Sequence, residues 1–427
     1  MTALSIQPIT HRLNAVVRLP GSKSLTNRAL LIAALAQGTT HLTNALFSDD
    51  SRYFGQALLA LGFEVHSDEA AGVITVVGQA GRIPAERAEL FIGNAGTAAR
   101  FLTAMLTLGH GSYVLDGSAR MRERPLADLL DALRQLGAVV DSVTGCPPVH
   151  VTAAGLPGGS ARVAGDVSSQ YLSGLLLVAP YAQAAVDLQV AGGLNSQPYV
   201  DLTVAIMADF GVALTRDGYE HFHIQPGRYI AQSSYAIESD ASAASYFLAA
   251  PAILGGTVRV ENFSRRSRQG DVAFVDVLAQ MGCTVAEVVN GLAVTGPALG
   301  QLRGVTVDMR HIPDTAQTLA AIAPFANGPT EIRGIASARV KETDRVAATC
   351  AELRRLGVTV EEYPDGLKIY PAEHIAPATV ETYDDHRMAM AFALTGLRSQ
   401  GVAIANPGCV SKTFPGYFEV LNSLRLS

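Results

Sequence analysis

One local pattern recurs six times along the chain, and this repeat constrains the fold more than any other feature of the sequence. Successive copies begin 73, 73, 71, 73 and 73 residues apart. A spacing this regular indicates six related structural units. The copies begin at Gly38, Gly111, Ala184, Gly255, Gly328 and Gly401.

Each copy gives the same order of local signals. The first is a stretch rich in Ala and Leu, such as ALLIAALAQG, which is apolar on every side and predicts a helix buried all round. A β-branched strand, a polar turn and an amphipathic helix follow, and short alternating strands such as VITVVGQ complete the copy. Every copy is therefore predicted to be an α/β unit.

Proline and glycine mark the predicted helix boundaries. We expect Pro180, Pro251 and Pro324 to kink or end three of the buried helices, because proline removes a backbone donor. Prolines are favoured where helices begin and glycines where they end. The predicted starts are near Pro125, Pro198 and Pro415, and the predicted ends are near Gly62, Gly137, Gly211, Gly282 and Gly357.

Six units of about 70 residues are too many for one compact core. We therefore divide them three and three, with the polar, aromatic stretch Tyr219–Asp240 as the expected crossover between two lobes. A cleft between two lobes is a usual place for a small-molecule site.

Composition excludes several other classes of protein. Hydrophobic residues make up 48% of the chain and charged residues 16%, which excludes intrinsic disorder. The net charge of −6 argues against a nucleic-acid coat or a membrane-surface protein. The four scattered cysteines suggest neither a disulfide framework nor a zinc site. The start MTALSIQPIT lacks the features of a secretion signal, and the apolar runs fall far short of the ~20 residues that a membrane span needs, so we expect a cytoplasmic protein.

Unusual polar residues gather at two equivalent points of the repeat. These points are the start of the buried helix and the turn before the amphipathic helix, where free N–H groups and the helix dipole favour anions. Ser24, Asp240 and Asp384, each taken singly, are more simply explained as helix N-caps. The segments at the first point are PGSKSLTNR, GNAGTAAR, DVSSQY, ESDASAAS, RHIPDTAQ and YDDHRMA.

Lysine usage favours a functional interpretation of these turns. Only four of the 32 basic residues are lysines, and Lys23, Lys341 and Lys412 lie in the helix-start turns. Arginines accompany them, and a guanidinium fork suits carboxylate or phosphate. The sequence therefore predicts a site for a multiply anionic ligand. The accompanying arginines are Arg28, Arg100, Arg122, Arg124, Arg345 and Arg387.

Several familiar motifs are absent. GSKS is not a Walker loop, because Val17 stands where the first glycine is required and Ser22 precedes Lys23. No G-x-G-x-x-G follows a predicted strand. Asp384, Asp385 and His386 have no matching metal-ligand set elsewhere, so we interpret His386 as a donor to an anion.

These segments together resemble the 5-enolpyruvylshikimate-3-phosphate synthase family of enolpyruvyl transferases. They occur in family order from residue 20 to 415, and RVKETDR, GNAGTA and DHRMA are highly specific in combination. The matching segments are PGSKSLTNRALL, LFIGNAGTAAR, RPL after Arg124, VSSQYL, GDVAF, IPD with Asp314, RVKETDR, DDHRMAM and KTFP.

The resemblance implies an α/β, two-lobed enolpyruvyl transferase fold. Each lobe would hold three βαβαββ-type repeats, with helices inside and sheets outside. Residues 21–238 would form a first lobe, mainly on the shikimate 3-phosphate side. Residues 1–20 plus 239–427 would form a second lobe, mainly on the phosphoenolpyruvate side, because the N-terminal strand is implied to cross back to it. The active site would lie in the cleft between the lobes.

The implied reaction transfers the enolpyruvyl group of phosphoenolpyruvate to the 5-hydroxyl of shikimate 3-phosphate. It releases phosphate, passes through a tetrahedral adduct, and belongs to the shikimate pathway to chorismate and the aromatic amino acids. The resemblance gives Asp314 as the base for the hydroxyl proton and Glu342 as the acid for the methylene carbon, with Lys23 as a further participant. Preorganised cations would stabilise the adduct, so no metal and no cofactor are implied.

The resemblance also assigns substrate-binding side chains by position. Those implied for shikimate 3-phosphate are Lys23, Ser24, Arg28, Ser168, Ser169, Gln170, Ser196, Tyr199, Asp314, Ser337 and Lys341. Those implied for phosphoenolpyruvate are Lys23, Asn94, Gly96, Thr97, Arg124, Gln170, Arg345, His386, Arg387 and Lys412.

Three positions depart from the better-known bacterial and plant members. Ser337 stands where asparagine is usual, Gln197 where lysine is common, and Phe101 where many have proline. We expect the first two to affect the sugar-phosphate pocket and Phe101 to affect packing behind the phosphoenolpyruvate site. Gly96 leaves room for glyphosate, the inhibitor of the family, and so favours sensitivity.

Two other functions would account for part of this pattern. The sister enzyme, which acts on UDP-N-acetylglucosamine, is expected to carry a cysteine in the loop matching SARMRERP, and it lacks the SKS-x-x-NR pattern present here. A non-catalytic anion-binding protein would explain the basic helix starts but not Asp314 and Glu342 among them. We expect a monomer that acts on small molecules, without nucleic-acid or membrane partners.

Overall fold

The computed structural model describes residues 3–426 and contains the six copies as recurring groups of helices and strands. Within this range the α-helices are α1 (Lys23–Leu35), α2 (Asp49–Ala60), α3 (Gly96–Leu106), α4 (Ala127–Gln135), α5 (Ser169–Val178), α6 (Gln197–Asp209), α7 (Ala241–Leu254), α8 (Phe274–Gln280), α9 (Ala316–Ile322), α10 (Arg345–Arg355), α11 (His386–Arg398) and α12 (Tyr417–Ser423).

The strands share one role: they form small sheets that flank the helices. They are β1 (Ala3–Ser5), β2 (Leu13–Val17), β3 (Gln37–Thr43), β4 (Glu64–Asp68), β5 (Val73–Gln79), β6 (Arg87–Phe91), β7 (His110–Asp116), β8 (Val139–Asp141), β9 (Val149–Ala154), β10 (Gly159–Ala164), β11 (Val186–Ala191), β12 (Thr215–Asp217), β13 (His221–Ile224), β14 (Tyr235–Ala236), β15 (Gly256–Glu261), β16 (Thr284–Val288), β17 (Gly291–Thr295), β18 (Thr306–Asp308), β19 (Thr330–Arg333), β20 (Val360–Tyr363), β21 (Gly366–Ile369), β22 (Ala378–Val380) and β23 (Val402–Ala405).

The odd-numbered helices are the predicted buried ones. Every residue of α1 from Leu25 to Leu35 is buried, and so is every residue of α11 from His386 to Leu397. Apart from polar and charged residues near their starts, such as Arg28 and Arg387, the side chains on all faces of these two helices are apolar or small, so no face needs water. The prediction of helices buried all round is confirmed.

Glycine ends five of the amphipathic helices, as predicted. The residue after the C-cap of α2, α4, α6, α8 and α10 is a glycine with φ between +78° and +102°. Side chains with a Cβ rarely adopt this conformation, so glycine stops these helices at low steric cost.

The prolines correct part of the expectation. Pro180 and Pro324 lie in short 3₁₀ turns directly after α5 and α9, so they do end those helices. Pro251 lies inside α7, which continues to Leu254. Pro198 is the second residue of α6, whereas Pro125 lies two residues before α4 and Pro415 two before α12.

Five of the six sheets within residues 3–426 share one topology, for which β6-β7-β9-β8 serves as the example. β6 is parallel to β7, with Arg87 opposite Ser112, and α3 connects the two strands. β7 is antiparallel to β9, and β8 and β9 form a hairpin. The sixth sheet, β1-β23-β22, has three strands. Each buried helix thus begins just after a strand of a parallel pair.

The described chain divides into two compact units. The first unit runs from Gly21 to Ile237, and the second unit comprises the residues up to Pro20 and those from Glu238 onward. The chain therefore passes from the first unit to the second between Ile237 and Glu238, one residue earlier than the expected lobe boundary. This point lies within the expected crossover, Tyr219–Asp240. The N-terminal strands β1 and β2 pair with β23 and β15 of the second unit, and β14 pairs with β3 of the first.

Each unit has its own hydrophobic core, built around α1, α3 and α5 in the first and α7, α9 and α11 in the second. Within the described part of the chain, no helix is long and apolar enough to cross a membrane.

Candidate active site

Most of the predicted site residues lie at or next to the N-terminal ends of helices in both units, whereas Arg124 lies between a 3₁₀ turn and α4. In the first unit they stand at the starts of α1, α3, α5 and α6. In the second unit they stand at the starts of α10 and α11 and in the 3₁₀ turns 313–315, 336–340 and 407–412. Unpaired N–H groups at such ends favour anionic ligands.

Arg345 is the centre of an ion-pair network in the second unit. Its guanidinium lies 2.7 Å from Asp385 Oδ2, 2.8 Å from Glu342 Oε2 and 3.1 Å from Asp314 Oδ1. Burial acts to lower the pKa of Arg345, but the charges of Asp385, Glu342 and Asp314 together raise it above its ordinary value. Arg345 therefore stays charged and fixes three carboxylates from three parts of the chain.

The network extends to two more cations that the sequence singled out. Arg387 donates to Asp314 Oδ2 over 2.7 Å, and Lys412 Nζ lies 3.8 Å from Glu342 Oε1. Both oxygens of Asp314 and both oxygens of Glu342 thus face cations. The structure brings together the two predicted proton-transfer residues and three of the predicted anion-binding cations.

His386 lies deeper than the sequence suggested. Its side chain is fully buried, and Nδ1 is 3.5 Å from Asp385 Oδ1. Lys341 and Ser337 are half-buried in the segment that leads into α10.

The N-caps differ in part from those expected. Asp240 caps α7 as expected, accepting from the Ala243 amide over 2.8 Å. Ser22 rather than Ser24 caps α1, and Asp385 rather than Asp384 caps α11. Ser24 is therefore the second residue of α1 rather than its cap. Asp385 both caps α11 and pairs with Arg345.

In the first unit, Arg124 lies against the turn that begins α3. Its Nη1 donates to the backbone oxygen and to Oδ1 of Asn94, each over 3.0 Å. A Cβ added at Gly96 would lie 2.7 Å from Arg124 Cζ, closer than any relaxed contact. The missing side chain at Gly96 is therefore what allows Arg124 to reach this position.

The starts of α1, α3 and α5 carry the other predicted residues. Lys23 Nζ lies 3.6 Å from Asp50, which is buried. Gln170 donates to Thr97 over 3.2 Å and so links α5 to α3. Ser168 caps α5 by accepting from the Gln170 amide.

Ser169 and Ser196 are buried, and Ser196 has a left-handed φ of 55° just before α6. Tyr199, half-buried in the first turn of α6, supplies a backbone carbonyl to Arg28.

Arg28 is a buried cation whose hydrogen bonds go to neutral oxygens. It donates to Thr203 over 2.8 Å, to Ser173 over 3.4 Å, and to the carbonyls of Ser24 and Tyr199 over 3.0 Å each. Burial lowers the pKa of Arg28 to about 10, so it is charged at neutral pH. A buried charge held by neutral partners favours a carboxylate or phosphate ligand.

Sequence reasoning missed several supporting residues. Asp385 orients Arg345, and Ser173 and Thr203 hold Arg28. Asp50 pairs with Lys23. The signal for Asp385 was present in the Asp384–Asp385 pair, since only one of the two can be the residue before the helix. Nothing local in sequence connects Thr203 to Arg28.

A comparison with known protein families shows the family to which this chain belongs. The model of the family described as EPSP synthase (3-phosphoshikimate 1-carboxyvinyltransferase) matches residues 8–421. The chain belongs to this family.

Individual relatives agree with the family match. A 3-phosphoshikimate 1-carboxyvinyltransferase of Thiobacillus denitrificans is 51% identical over 416 residues, which cover 96% of this chain and 97% of that protein. The enzyme of the same name from Trichormus variabilis is 49% identical over 98% of both chains. A solved EPSP synthase from Acinetobacter baumannii has a TM-score of 0.82 and 26% identity, covering 99% of this chain and 98% of that one. The expected two-lobed enolpyruvyl transferase fold class is confirmed.

One departure from the usual family sequence, Phe101, contacts a residue that the resemblance assigns to shikimate 3-phosphate. Phe101 is fully buried, and its ring centroid lies 5.2 Å from the guanidinium carbon of Arg28. Phe101 therefore packs against Arg28, in addition to lying one turn beyond Gly96. Gln197 is the first residue of α6 and is half-buried.

Proposed function

We propose that this chain transfers the enolpyruvyl group of phosphoenolpyruvate to the 5-hydroxyl of shikimate 3-phosphate and releases phosphate. The observation that carries the proposal is the network around Arg345, in which Asp314 and Glu342 both pair with the Arg345 guanidinium. Membership of the family and relatives of that name over the whole chain support it.

The cations are proposed to bind the anionic groups of phosphoenolpyruvate. Arg345, Arg387 and Lys412 of the second unit and Lys23 and Arg124 of the first would take its carboxylate and phosphate, because planar or compact cations suit these groups. Further proposed contacts to the same substrate come from neutral or buried groups: Asn94, Gly96, Thr97, Gln170 and His386.

Shikimate 3-phosphate is proposed to bind mainly at the helix starts of the first unit. Arg28 supports this assignment, because its buried charge has only neutral partners among its four hydrogen bonds. The remaining proposed contacts are Lys23, Ser24, Ser168, Ser169, Gln170, Ser196, Tyr199, Asp314, Ser337 and Lys341.

Asp314 is proposed to take the proton of the 5-hydroxyl, and Glu342 to protonate the methylene carbon, with Lys23 as a further participant. In the structure, Glu342 faces Arg345 and Lys412. Phosphoenolpyruvate would compete for these cations, and a carboxyl group relieved of cations holds a proton more readily. Substrate binding would thereby prepare the acid. The cations left on the substrate would then stabilise the charge of the tetrahedral adduct.

Phosphate release tests the reaction directly. The purified protein is mixed with shikimate 3-phosphate and phosphoenolpyruvate, and separately with UDP-N-acetylglucosamine and phosphoenolpyruvate. We expect turnover with the first pair. Turnover with the nucleotide sugar alone would assign the sister activity, and silence with both would leave an anion-binding protein.

Asp314→Asn tests the assignment of the base. We expect turnover to fall about 10²- to 10⁴-fold, as for loss of a general base, while shikimate 3-phosphate binding stays within a few-fold. Asp276→Asn is the matched control, because Asp276 is an exposed carboxylate paired with Arg265 in the same unit. Equal losses of binding and turnover would make Asp314 a positioning residue.

A monomer in the cytoplasm and inhibition by glyphosate also stay predictions. Light scattering after gel filtration should give a single species near 44.8 kDa. A mass near twice that value would contradict the monomer.

A further inference from the structure

Two successive residues with side chains have left-handed backbone conformations just before α11. Tyr383 has φ of 55° and Asp384 has φ of 54°. Residues other than glycine rarely adopt this conformation, and it persists only where the surroundings hold it. Asp385, His386 and Arg387 follow directly, so this turn sets where three site residues point.

A buried carboxylate on α10 holds the turn. Glu352 is fully buried, and its Oε2 accepts from the Glu381 amide over 3.0 Å. Its Oε1 accepts from the Tyr383 hydroxyl over 2.8 Å. Arg355, which is half exposed, completes the charge balance with Nε 2.9 Å from Oε2. Each oxygen of Glu352 therefore accepts a hydrogen bond from the segment before α11.

Helix α10 thus contacts the segment before α11 at two points. Arg345 at its start binds Asp385, and Glu352 binds Glu381 and Tyr383. Arg345 and Glu352 are seven residues apart, or about two helical turns, and so lie on one face of the helix. One rigid element therefore fixes both ends of the turn.

We propose that Glu352 is a positioning residue for phosphoenolpyruvate binding, which acts by locking the left-handed turn at Tyr383 and Asp384. The inference rests on the proposed function, because it assigns Arg345 and Arg387 to that substrate. Locking the turn keeps Asp385 under Arg345 and keeps Arg387 at the start of α11, where it donates to Asp314. Burial, together with the hydrogen bond to Glu352, raises the pKa of Tyr383 to about 12, so the hydroxyl remains a donor across the assay range.

Two variants remove the lock to different degrees. Glu352→Gln keeps the size of the side chain but leaves only one oxygen for two donors. We expect the KM for phosphoenolpyruvate to rise about 10- to 100-fold, as for a small misplacement of binding groups, with a smaller change in kcat. Tyr383→Phe removes one donor only, and we expect a rise of about 3- to 10-fold. Binding of shikimate 3-phosphate to both variants should stay within about 2-fold.

The double variant and a control separate positioning from stability. Because Tyr383 acts through Glu352, the double variant should be no worse than Glu352→Gln. Arg355→Gln removes the exposed partner of Glu352 but neither donor from the turn, and its kinetics should match the unchanged protein. Variants that melt earlier yet keep the unchanged KM for phosphoenolpyruvate would overturn the proposal. Additive losses in the double variant would also overturn it.

Hydrogen exchange keeps the inference independent of the reaction. Glu352→Gln should speed amide exchange in residues 381–387 and leave α1 and α3 unchanged. If the unchanged protein releases no phosphate, the proposed function fails; faster exchange in this segment would still support the lock. Unaltered exchange there would overturn the lock, whatever the activity.

Discussion

Replacing Gly96 by alanine should weaken phosphoenolpyruvate binding by moving Arg124. The added Cβ would lie 2.7 Å from Arg124 Cζ and 2.9 Å from Nη1, whereas ordinary contacts begin near 3.4 Å. The atoms in the way belong to the end of a flexible side chain. Arg124 Nη2 would lie closer still to the added Cβ, so the guanidinium must retreat by about 1 Å, while the α3 backbone can stay in place.

The magnitude follows from what Arg124 loses. Its two 3.0 Å hydrogen bonds to Asn94 hold the guanidinium beside the start of α3. A hydrogen bond to a charged group contributes about 1.5–3 kcal/mol, so losing one such contact to the substrate should raise the KM about 10- to 150-fold. Glyphosate should lose affinity in the same direction. Folding stability should change by less than about 1 kcal/mol, because no backbone contact is broken.

The assay is steady-state phosphate release with varied phosphoenolpyruvate, together with direct titration of shikimate 3-phosphate and thermal melting. Gly55→Ala is the matched control. Gly55 lies within α2, and a Cβ there would meet nothing within 4 Å, so the same chemical change should leave the kinetics unaltered. We expect shikimate 3-phosphate to bind both variants as it binds the unchanged protein.

An unchanged KM for phosphoenolpyruvate and unchanged inhibition by glyphosate in Gly96→Ala would refute the steric argument. A large fall in melting temperature together with loss of both ligands would also refute it, since the clash would then have disturbed α3 itself.

Two further predictions follow from buried charges. Burial, and then the charge of Asp314, raises the pKa of Asp271 to about 6 from 3.8. Protonation of Asp271 therefore contributes its full stabilisation of the folded state below pH 4, and this contribution is lost as the pH rises through 6. Asp271→Asn should therefore be more stable than the unchanged protein by about 2–3 kcal/mol at pH 8 and equal to it at pH 4; a difference between the urea midpoints that does not vary with pH would contradict this. Arg28→Lys cannot reproduce the planar fork that reaches Thr203, Ser173 and Tyr199, so shikimate 3-phosphate should bind about 10- to 100-fold more weakly by titration. Unaltered affinity for that substrate would remove Arg28 from the site.

The repeat and its helix boundaries could be predicted from sequence because their causes are local. The residue after the C-cap of α2 and of α10 has a positive φ, which a residue with a Cβ would adopt only under strain, so glycine is favoured there. The helices rich in Ala and Leu could be recognised as buried without knowledge of the elements that pack against them. Pro251 marks a limit of local reasoning: the sequence left open whether it kinks or ends α7, and only the structure shows that α7 continues for three residues past it.

The cations of the candidate site were also visible in sequence, but their partners were not. Lys23, Arg345 and Lys412 stood out by residue type and repeat position. Their ion pairs with Asp50, Asp385 and Glu342 depend on helix phase and on the packing of segments far apart in the chain. The error of one residue at the α11 cap had the same origin, because two adjacent aspartates look equivalent until the backbone turn is known.

What the sequence alone determined is the number of repeat copies, the helices that are buried and the type of charge at the helix starts, since propensity and periodicity act over a few residues. Tertiary structure decided which strands pair across long separations, such as β2 with β15, and which carboxylate faces which cation. The physical reason is that a buried charge is stabilised only by groups brought within a few ångströms of it, and that distance is fixed by packing rather than by order along the chain.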